Sequence, residues 1–591
     1  MEKIGTLDRQ EFAALRALAS GDVSSQRELA TVCGVSLGAA NRALNSLKHQ
    51  GLAEGFEPTA AGMEALEPYR VRNAVIMAAG MSTRFAPISY ERPKGVLRVR
   101  GEVFIERQIR QLREVGITDI TVVVGYMKEQ FFYLEDLLGV KIRTSEVYAS
   151  RNNHSTLMVV REQLGNTYVC SSDDYFTENP FDLYVYRSYY AAEYHEGPTE
   201  EYCLKVGSLK RIVGVTVGGA DSYVMMGHAY FDRAFAREFV RILEAEYDLP
   251  ETAPKLWEDL FRAHLDTLTM VMKPYECGVI NEFDSLEELS SFDGAFINNV
   301  DCSILDNICS ILGCERDSIG DIYPIKQGLT NLSFHFSCDG AEYVYRHPGA
   351  GTDEIITRAS ESFSQKIAFD LGLDDTFVHE DPVEGWKISR FIPNCTELDY
   401  HDFDQVKQAL SMARTLHRCG VSSQWTFNLY ENTKELIALL DECHRVAFRD
   451  FTELYELIEE LNEAVSSDGT EPCLCHNDFY SPNFLVEQSG RMYLIDWEYS
   501  GMSDYASDLG TFVCCSDYGY DEALEVLRAY FERDLEPAEL FHCIAYIAIA
   551  SYYWFIWALY KDACGNPVGE WLYLWYRNAK TFGAQARKLR A

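Results

Sequence analysis

NAVIMAAGMSTRFAPISYERPKG, residues 73–95, runs from an apolar strand into a small-residue turn and then into a loop carrying Arg84 and Lys94. A strand ending in such a turn leaves successive backbone amides free to point at phosphate oxygens. Ala79 and Gly80 let the backbone approach a triphosphate, and Arg84 and Lys94 supply positive charge where pyrophosphate must leave. Working outward, FIERQIRQLREVG (104–116) has the spacing of an amphipathic helix and ITDITVVVGY (117–126) that of the next strand. Strand, helix, strand at this spacing predicts a parallel, doubly wound α/β sheet. The texture continues to about Asn298, through VINEFDSLEEL (279–289).

At 591 residues the chain is too long for one hydrophobic core. Its 53 basic and 91 acidic residues leave a net charge of −38. Such a surface repels nucleic acids and anionic lipid, so anionic nucleotides must be held locally, by amides, a few cations and metal ions. The 17 cysteines are odd in number, with no CxxC pair, which fits reduced cytosol better than a disulfide framework. The start, MEKIGTLDRQEF, lacks the apolar core of a signal peptide, so a cytoplasmic protein is expected. Leu540–Tyr560 has no Asp, Glu, Lys or Arg and is long enough to cross a bilayer. Its Tyr and Trp density, His542 and acidic flanks read instead as a buried helix, so no membrane partner is expected.

Before residue 70, SSQRELATVCGVSLGAANRALNSLKHQGLAE (24–54) has a helix, a turn at Gly34 and a second helix, and GLAEGFEPTAAG (51–62) would form a wing. This resembles the winged-helix domains of bacterial regulators. Arg42 and Lys48 would be its phosphate contacts if it binds DNA; a repurposed interaction module is the other reading.

Two short motifs mark the last segment. HNDFYSPN (476–483) places Asp478 and Asn483 five apart on a loop, and LIDWE (494–498) puts Asp496 after an apolar strand. This is similar to protein-kinase-like phosphotransferases, in which one Asp accepts or orients the substrate hydroxyl while an Asn and a second Asp hold magnesium. Upstream, QGLTNLSFHF (327–336) resembles the phosphate-covering hairpin of choline and aminoglycoside kinases, with Thr330 and Asn331 at its turn. In EYVYRHPG (342–349), Arg346 stands where protein kinases have a phosphate-binding lysine, a feature of choline kinases, with Glu361 as its ion-pair partner. The resemblance to bacterial choline kinases spans roughly residues 300–580. It reads Trp497, Glu498, Trp554 and Trp557 as a cage for a quaternary ammonium, which aromatic faces attract. Taken alone, an aromatic stripe such as YYWFIWALYKD (552–562) is ordinary core.

The middle segment resembles the sugar-phosphate nucleotidylyltransferases, and among them bacterial phosphocholine cytidylyltransferases, over about residues 73–298. VVVGYMKEQFFYL (122–134) and YASRNNHSTLMVV (148–160) carry the likeness beyond the glycine turn. The resemblance implies that Asp173 holds magnesium and that Glu282 and Asp284 complete the site, with Ser171 where those enzymes have a further Asp.

The expected fold class is multidomain α/β and α+β. A winged helix-turn-helix (1–70) precedes a nucleotidyltransferase-type doubly wound α/β domain (71–298) and a bilobal protein-kinase-like domain of the choline/aminoglycoside kinase type (299–591). The expected enzyme resembles a bacterial lic-type pair fused in one chain. It phosphorylates choline with ATP, then couples phosphocholine to CTP with release of pyrophosphate, using Mg2+, for phosphocholine decoration of surface glycans. The rival readings are a sugar kinase fused to a sugar-1-phosphate nucleotidylyltransferase, an ethanolamine-specific version, and a ligand-sensing transcriptional regulator.

Overall fold

The computed structural model describes residues 7–325, 331–348, 358–442, 448–564 and 568–590. The chain divides into two compact units, Met1–Cys309 and Ser310–Ala591.

The first unit opens with helix Arg9–Ala19, whose start is fixed reciprocally: Asp8 accepts the amides of Gln10 and Glu11, and the Glu11 carboxylate accepts the Asp8 amide. Helices Gln26–Val32 and Leu37–His49 come next, across a turn where Gly34 has φ +62°, a conformation costly for residues with a Cβ. A short hairpin pairs Ala53–Glu54 with Glu57–Pro58 before helix Ala60–Leu66. Leu15, Leu29, Leu44, Leu47 and Leu66 are wholly buried between these elements. This group does not stand apart from the sheet domain. Phe12 and Tyr69 pack on Tyr186, and Tyr184 joins the same apolar cluster. Residues 1–70 thus pack against the sheet domain within the unit Met1–Cys309.

The main sheet has seven strands in the order Val271–Pro274, Tyr189–Val206, Ile212–Phe231, Thr167–Ser171, Asn73–Ala78, Ile120–Val124, Lys141–Thr144. The chain enters near the middle of the sheet, at Asn73–Ala78, and pairs in parallel on both sides, as a doubly wound fold requires. The sheet is not all parallel. Ile212–Phe231 runs against its neighbours because it closes a long hairpin with Tyr189–Val206. Ala74, Val75, Ile76, Val122, Val123 and Val124 are fully buried, which explains their unbroken apolar runs.

The second unit has two parts. Five antiparallel strands in the order Ile319–Pro324, Asn331–Cys338, Ala341–Pro348, Lys387–Arg390, Phe377–Glu380 accompany helix Arg358–Asp370. The other part is mainly helical, with a small hairpin, Phe484–Val486 with Met492–Leu494, and a second strand pair, Cys473–Cys475 with Gly501–Ser503, that together frame both sequence motifs. Its longest helix, Pro537–Ala563, passes the length and hydropathy test for a membrane span, but 83% of its most apolar window is buried inside the protein. It is the core around which Tyr505–Cys514 and Trp571–Arg590 pack.

Two candidate active sites

In the first unit, strand Asn73–Ala78 delivers the chain to a cavity of about 180 Å3 whose wall includes Ala79, Gly80, Ser82, Lys94 and Asp173. A Cβ added at Gly80 would meet no atom within 4 Å, so the turn faces open space rather than packed protein. Lys94 is 6% exposed. Its ammonium lies 2.9 Å from Asp173 and donates to the Phe283 carbonyl. Burial alone would lower its pKa, yet Asp173, Glu282 and Asp284 hold it above the ordinary lysine value. Glu282 lies in the same acid cluster, where shielding from bulk water and then the Asp173 charge raise its pKa, with Lys94 opposing.

Arg84 is placed differently from the expectation. It is 71% exposed, is not among the cavity-wall residues, and pairs with Asp284 at 2.9 Å. Two residues were not foreseen. Asp174 is fully buried, and burial followed by Glu282 raises its pKa well above the usual range, with Lys94 and the Ser171 backbone opposing. Buried Gln108, on helix Phe104–Glu114, donates to the carbonyls of Ser171 and Asp174 and so fixes the acidic loop between them. The doubled acid in CSSDDYF was the available signal for Asp174; nothing local marks Gln108.

In the second unit the catalytic-loop geometry is held from beneath by Asp508. This buried carboxylate accepts the amide of His476 at 2.9 Å and of Asn477 at 2.6 Å, and contacts His417 Nε2 at 2.9 Å. Asn477 and Asp496 both sit in left-handed backbone, φ +64° and +65°, strain of the kind found where a loop must aim a side chain. Asn483 donates through Nδ2 to the Asp478 carbonyl and to its Oδ2 at 2.9 Å. Burial, then the charge of Asp496, push Asp478 up to about 7 against that hydrogen bond.

Arg346 comes down to this acid cluster from strand Ala341–Pro348. Its guanidinium lies 2.5 Å from Glu361, as expected, and 3.6 Å from Asp496. Glu380, at 3.7 Å, is a third and unforeseen carboxylate on the same cation. Glu361 and Glu380 are both inaccessible to solvent. Burial, then Asp496, push Glu498 up to about 8. Thr330 lies outside the described residues, as does the side chain of Asn331.

The aromatic expectation needs one correction. Trp497 is wholly buried, donates Nε1–H to the Leu494 carbonyl and meets His476 edge-on at 4.7 Å. Its ring therefore belongs to the core beneath the loop, while Asp496 and Glu498 act on Asp478 and on each other. The charge of Asp478 is felt at the hydroxyls of Tyr480, Tyr499 and Tyr553, and Phe427 stands edge-on to Tyr499 and Tyr553 at 5.9 and 5.8 Å. Trp554 meets Tyr499 at 6.4 Å and donates to Thr511. Trp557 packs on Trp554 and already carries the Lys561 ammonium 5.2 Å over its face.

One close group of His and Cys donors occurs among the described residues: His417, Cys473 and Cys475. His417 is engaged at both ring nitrogens, by Asp508 and Tyr530, so hydrogen bonding already accounts for it.

Comparison with known proteins agrees with both halves. The Choline/ethanolamine kinase family profile matches residues 322–547, and the MobA-like NTP transferase domain profile matches residues 74–174. The choline-phosphate cytidylyltransferase of Streptococcus pneumoniae is 33% identical over 215 residues, 36% of this chain and 94% of that protein. The 2-aminoethylphosphonate cytidylyltransferase of Lancefieldella rimae is 34% identical over 229 residues, 38% of this chain and 93% of that one. Protein LicA of Haemophilus influenzae is 24% identical over 257 residues, 41% of this chain and 94% of its own length. Through its first unit the chain belongs to the bacterial cytidylyltransferase family of these relatives, and it is an enzyme that joins to that domain a second one of the Choline/ethanolamine kinase family.

Proposed function

We propose that the chain makes CDP-choline in two steps, phosphorylating choline with ATP and then transferring a cytidylyl group from CTP to phosphocholine. The observation that carries this reading is a choline-kinase-like domain and a cytidylyltransferase domain in one chain, and the Asn483–Asp478, Arg346–Glu361 and Lys94–Asp173 contacts support it. The kinase also discriminates between the two cytidylyltransferase relatives. A phosphonate has a P–C bond and needs no hydroxyl phosphorylated, whereas a phosphate monoester is what a small-alcohol kinase delivers. Clustered rings beside Asp478 favour a quaternary ammonium over a sugar, because a trimethylammonium group donates no hydrogen bonds and is held by ring faces. Ethanolamine is the second reading, since the matching kinase family takes both names.

In the kinase step, Asp478 accepts the hydroxyl proton as the oxygen attacks the γ-phosphorus of ATP, whose bond to the β,γ-bridging oxygen breaks to release ADP. Asn483 orients that carboxylate, and Arg346, held by Glu361 and Glu380, balances charge at the phosphates. In the cytidylyl step the phosphocholine oxygen attacks the α-phosphorus of CTP. The turn at Ala79–Gly80 offers amides to the triphosphate, and Lys94 stabilises charge on the departing pyrophosphate.

The donor sets suit Mg2+. All are hard oxygens, and Asp174 is a further buried carboxylate beside them whose oxygens make no close side-chain hydrogen bond among the described residues. Asp173, Glu282 and Asp284 would hold the ion in the first unit, and Asn483 and Asp496 in the second, where it would screen phosphate repulsion. Three helices and a short hairpin within residues 1–70 support the winged-helix reading, in which Arg42 and Lys48, on the third helix, would be the DNA phosphate contacts. ATP, CTP and an abundance of thiols suit the cytoplasm, and surface glycans are the destination we favour for the phosphocholine group.

The test of the acceptor is direct. Supply the full chain with CTP, magnesium and, in separate arms, phosphocholine, phosphoethanolamine and 2-aminoethylphosphonate, and weigh the products. Phosphocholine should give the highest kcat/KM; preference for the phosphonate would overturn the pathway.

A further inference from the structure

Apart from both catalytic constellations, a cleft lies inside the first unit. Helix Arg9–Ala19 and the turn at Cys33–Val35 form one wall, and the 182–187 loop, Leu209–Lys210 and strand Val271–Pro274 form the other. It encloses about 780 Å3, a volume in the range of small-ligand sites.

Its charge runs against that of the chain. In a protein of net charge −38, these walls carry Arg9, Arg16, Arg187, Lys210 and Lys273 against Asp8 and Asp182. Both acids are already committed. Asp8 caps its helix, and Asp182 is bridged by Arg16 at 3.3 Å and Lys273 at 3.0 Å. Arg9, Arg187 and Lys210 have no ion-pair partner among the described residues, so three cations face the cleft uncompensated. Beside them stand apolar surfaces: Tyr186, half-buried, has the Arg187 guanidinium 5.1 Å from its ring centre, and Leu209 is 55% exposed.

A small inorganic anion would use the cations but neither the volume nor the ring. A purely apolar ligand would fill the volume but leave the three cations without a counter-charge. A nucleotide has both halves. We propose that this cleft binds a nucleotide effector, its phosphates on Arg9, Arg187 and Lys210 and its base against Tyr186 and Leu209. Such a ligand touches the N-terminal helices and the catalytic domain at once, so its occupancy is linked to whatever the N-terminal helices bind. The substrates CTP and ATP and a CDP-alcohol product share this chemistry; choosing these three as probes rests on the function proposed above.

The experiment is equilibrium dialysis of the full chain with CTP, ATP and CDP-choline in separate arms, alongside hydrogen exchange. One of the three should bind at one equivalent more than it does to the Arg187→Glu/Lys210→Glu variant. That equivalent should weaken at least ~10-fold in the variant and fall with added salt. The same nucleotide should protect residues 9–19 and 184–189 from exchange in the native chain, while both catalytic turnovers stay unchanged in the variant. Arg187→Lys, which keeps the charge, should retain the equivalent. Equal stoichiometry in native and variant chains for all three nucleotides overturns the proposal, as does protection confined to residues 78–95 and 476–498. These readouts record binding rather than turnover, so a chain that made no CDP-choline would leave their outcome interpretable.

Discussion

Asp508 is the residue on which the kinase loop stands, and Asp508→Asn is the perturbation that shows it. The carboxylate serves three partners, the amides of His476 and Asn477 and the ring of His417, with no exposure to water. An Asn side chain has one acceptor oxygen and one NH2 group, so one of the two amides must lose its partner and face a donor. A buried amide left unsatisfied costs about 1–3 kcal/mol, and a hydrogen bond to a charged acceptor is worth about 1.5–3 kcal/mol. The combined loss is therefore about 3–5 kcal/mol. In a unit of this size each kcal/mol moves the midpoint by about 2–4 °C, so the unfolding transition of the second unit should fall by about 6–20 °C. Scanning calorimetry of the full chain, with the first unit's transition as internal reference, reads this directly. Because the same amides position Asp478, phosphorylation should drop even at temperatures where the variant remains folded, while cytidylyl transfer from supplied phosphocholine persists. A transition within about 2 °C of the native one, with normal kinase turnover, would refute the reasoning.

Asp478→Asn should lower choline phosphorylation by about 10²–10⁴-fold and leave cytidylyl transfer intact; comparable loss of both would contradict two independent sites. Lys94→Ala and Asp173→Ala should each cost cytidylyl transfer about 10²–10³-fold without touching phosphorylation, and near-normal CTP turnover in either would remove that residue from the site. The Asp478 pKa is raised to about 7, and only the ionised form accepts a proton. Phosphorylation kcat/KM should therefore fall tenfold per unit as pH drops below that value and level off above it. The break should move lower as magnesium saturates, and a flat profile from pH 5 to 8 would contradict the assignment. Tyr499→Ala and Trp554→Ala should raise KM for choline more than for ATP, by a few-fold to about thirty-fold, whereas Trp497→Phe should act on stability and leave the KM ratio unchanged.

The elements legible in the sequence were those whose chemistry is local. Residues 73–95 announced the strand and phosphate turn because a buried parallel strand must be apolar throughout and must end in small residues where a ligand approaches. Asp478, Asn483 and Asp496 were legible for the same reason, each being fixed by a short loop after a strand. What stayed hidden is set by contacts between distant segments. Asp508 reaches the catalytic loop from a helix some thirty residues on, and Glu380 meets Arg346 across the sheet. Gln108 fixes the acidic loop from a helix where it reads as one more polar residue. Trp497 was misplaced because adjacency to Asp496 in sequence suggested adjacency in the pocket, while its ring is buried in the core and bonded to the Leu494 carbonyl. Arg84 was right in residue type, but its partner, Asp284, is two hundred residues away. The antiparallel strand Ile212–Phe231 escaped notice because a long hairpin has no turn signal stronger than those around it.

The central claim is that two chemistries run in series in one chain, and one time course tests it. The full chain is incubated with isotopically labelled choline, ATP, CTP and magnesium, and the labelled species are tracked by mass. The account predicts phosphocholine first and CDP-choline after it, with one ATP and one CTP consumed for each CDP-choline formed, and no CDP-choline when ATP is omitted unless phosphocholine is supplied. Phosphocholine that accumulates without ever becoming CDP-choline, or labelled choline that remains unchanged, would contradict it.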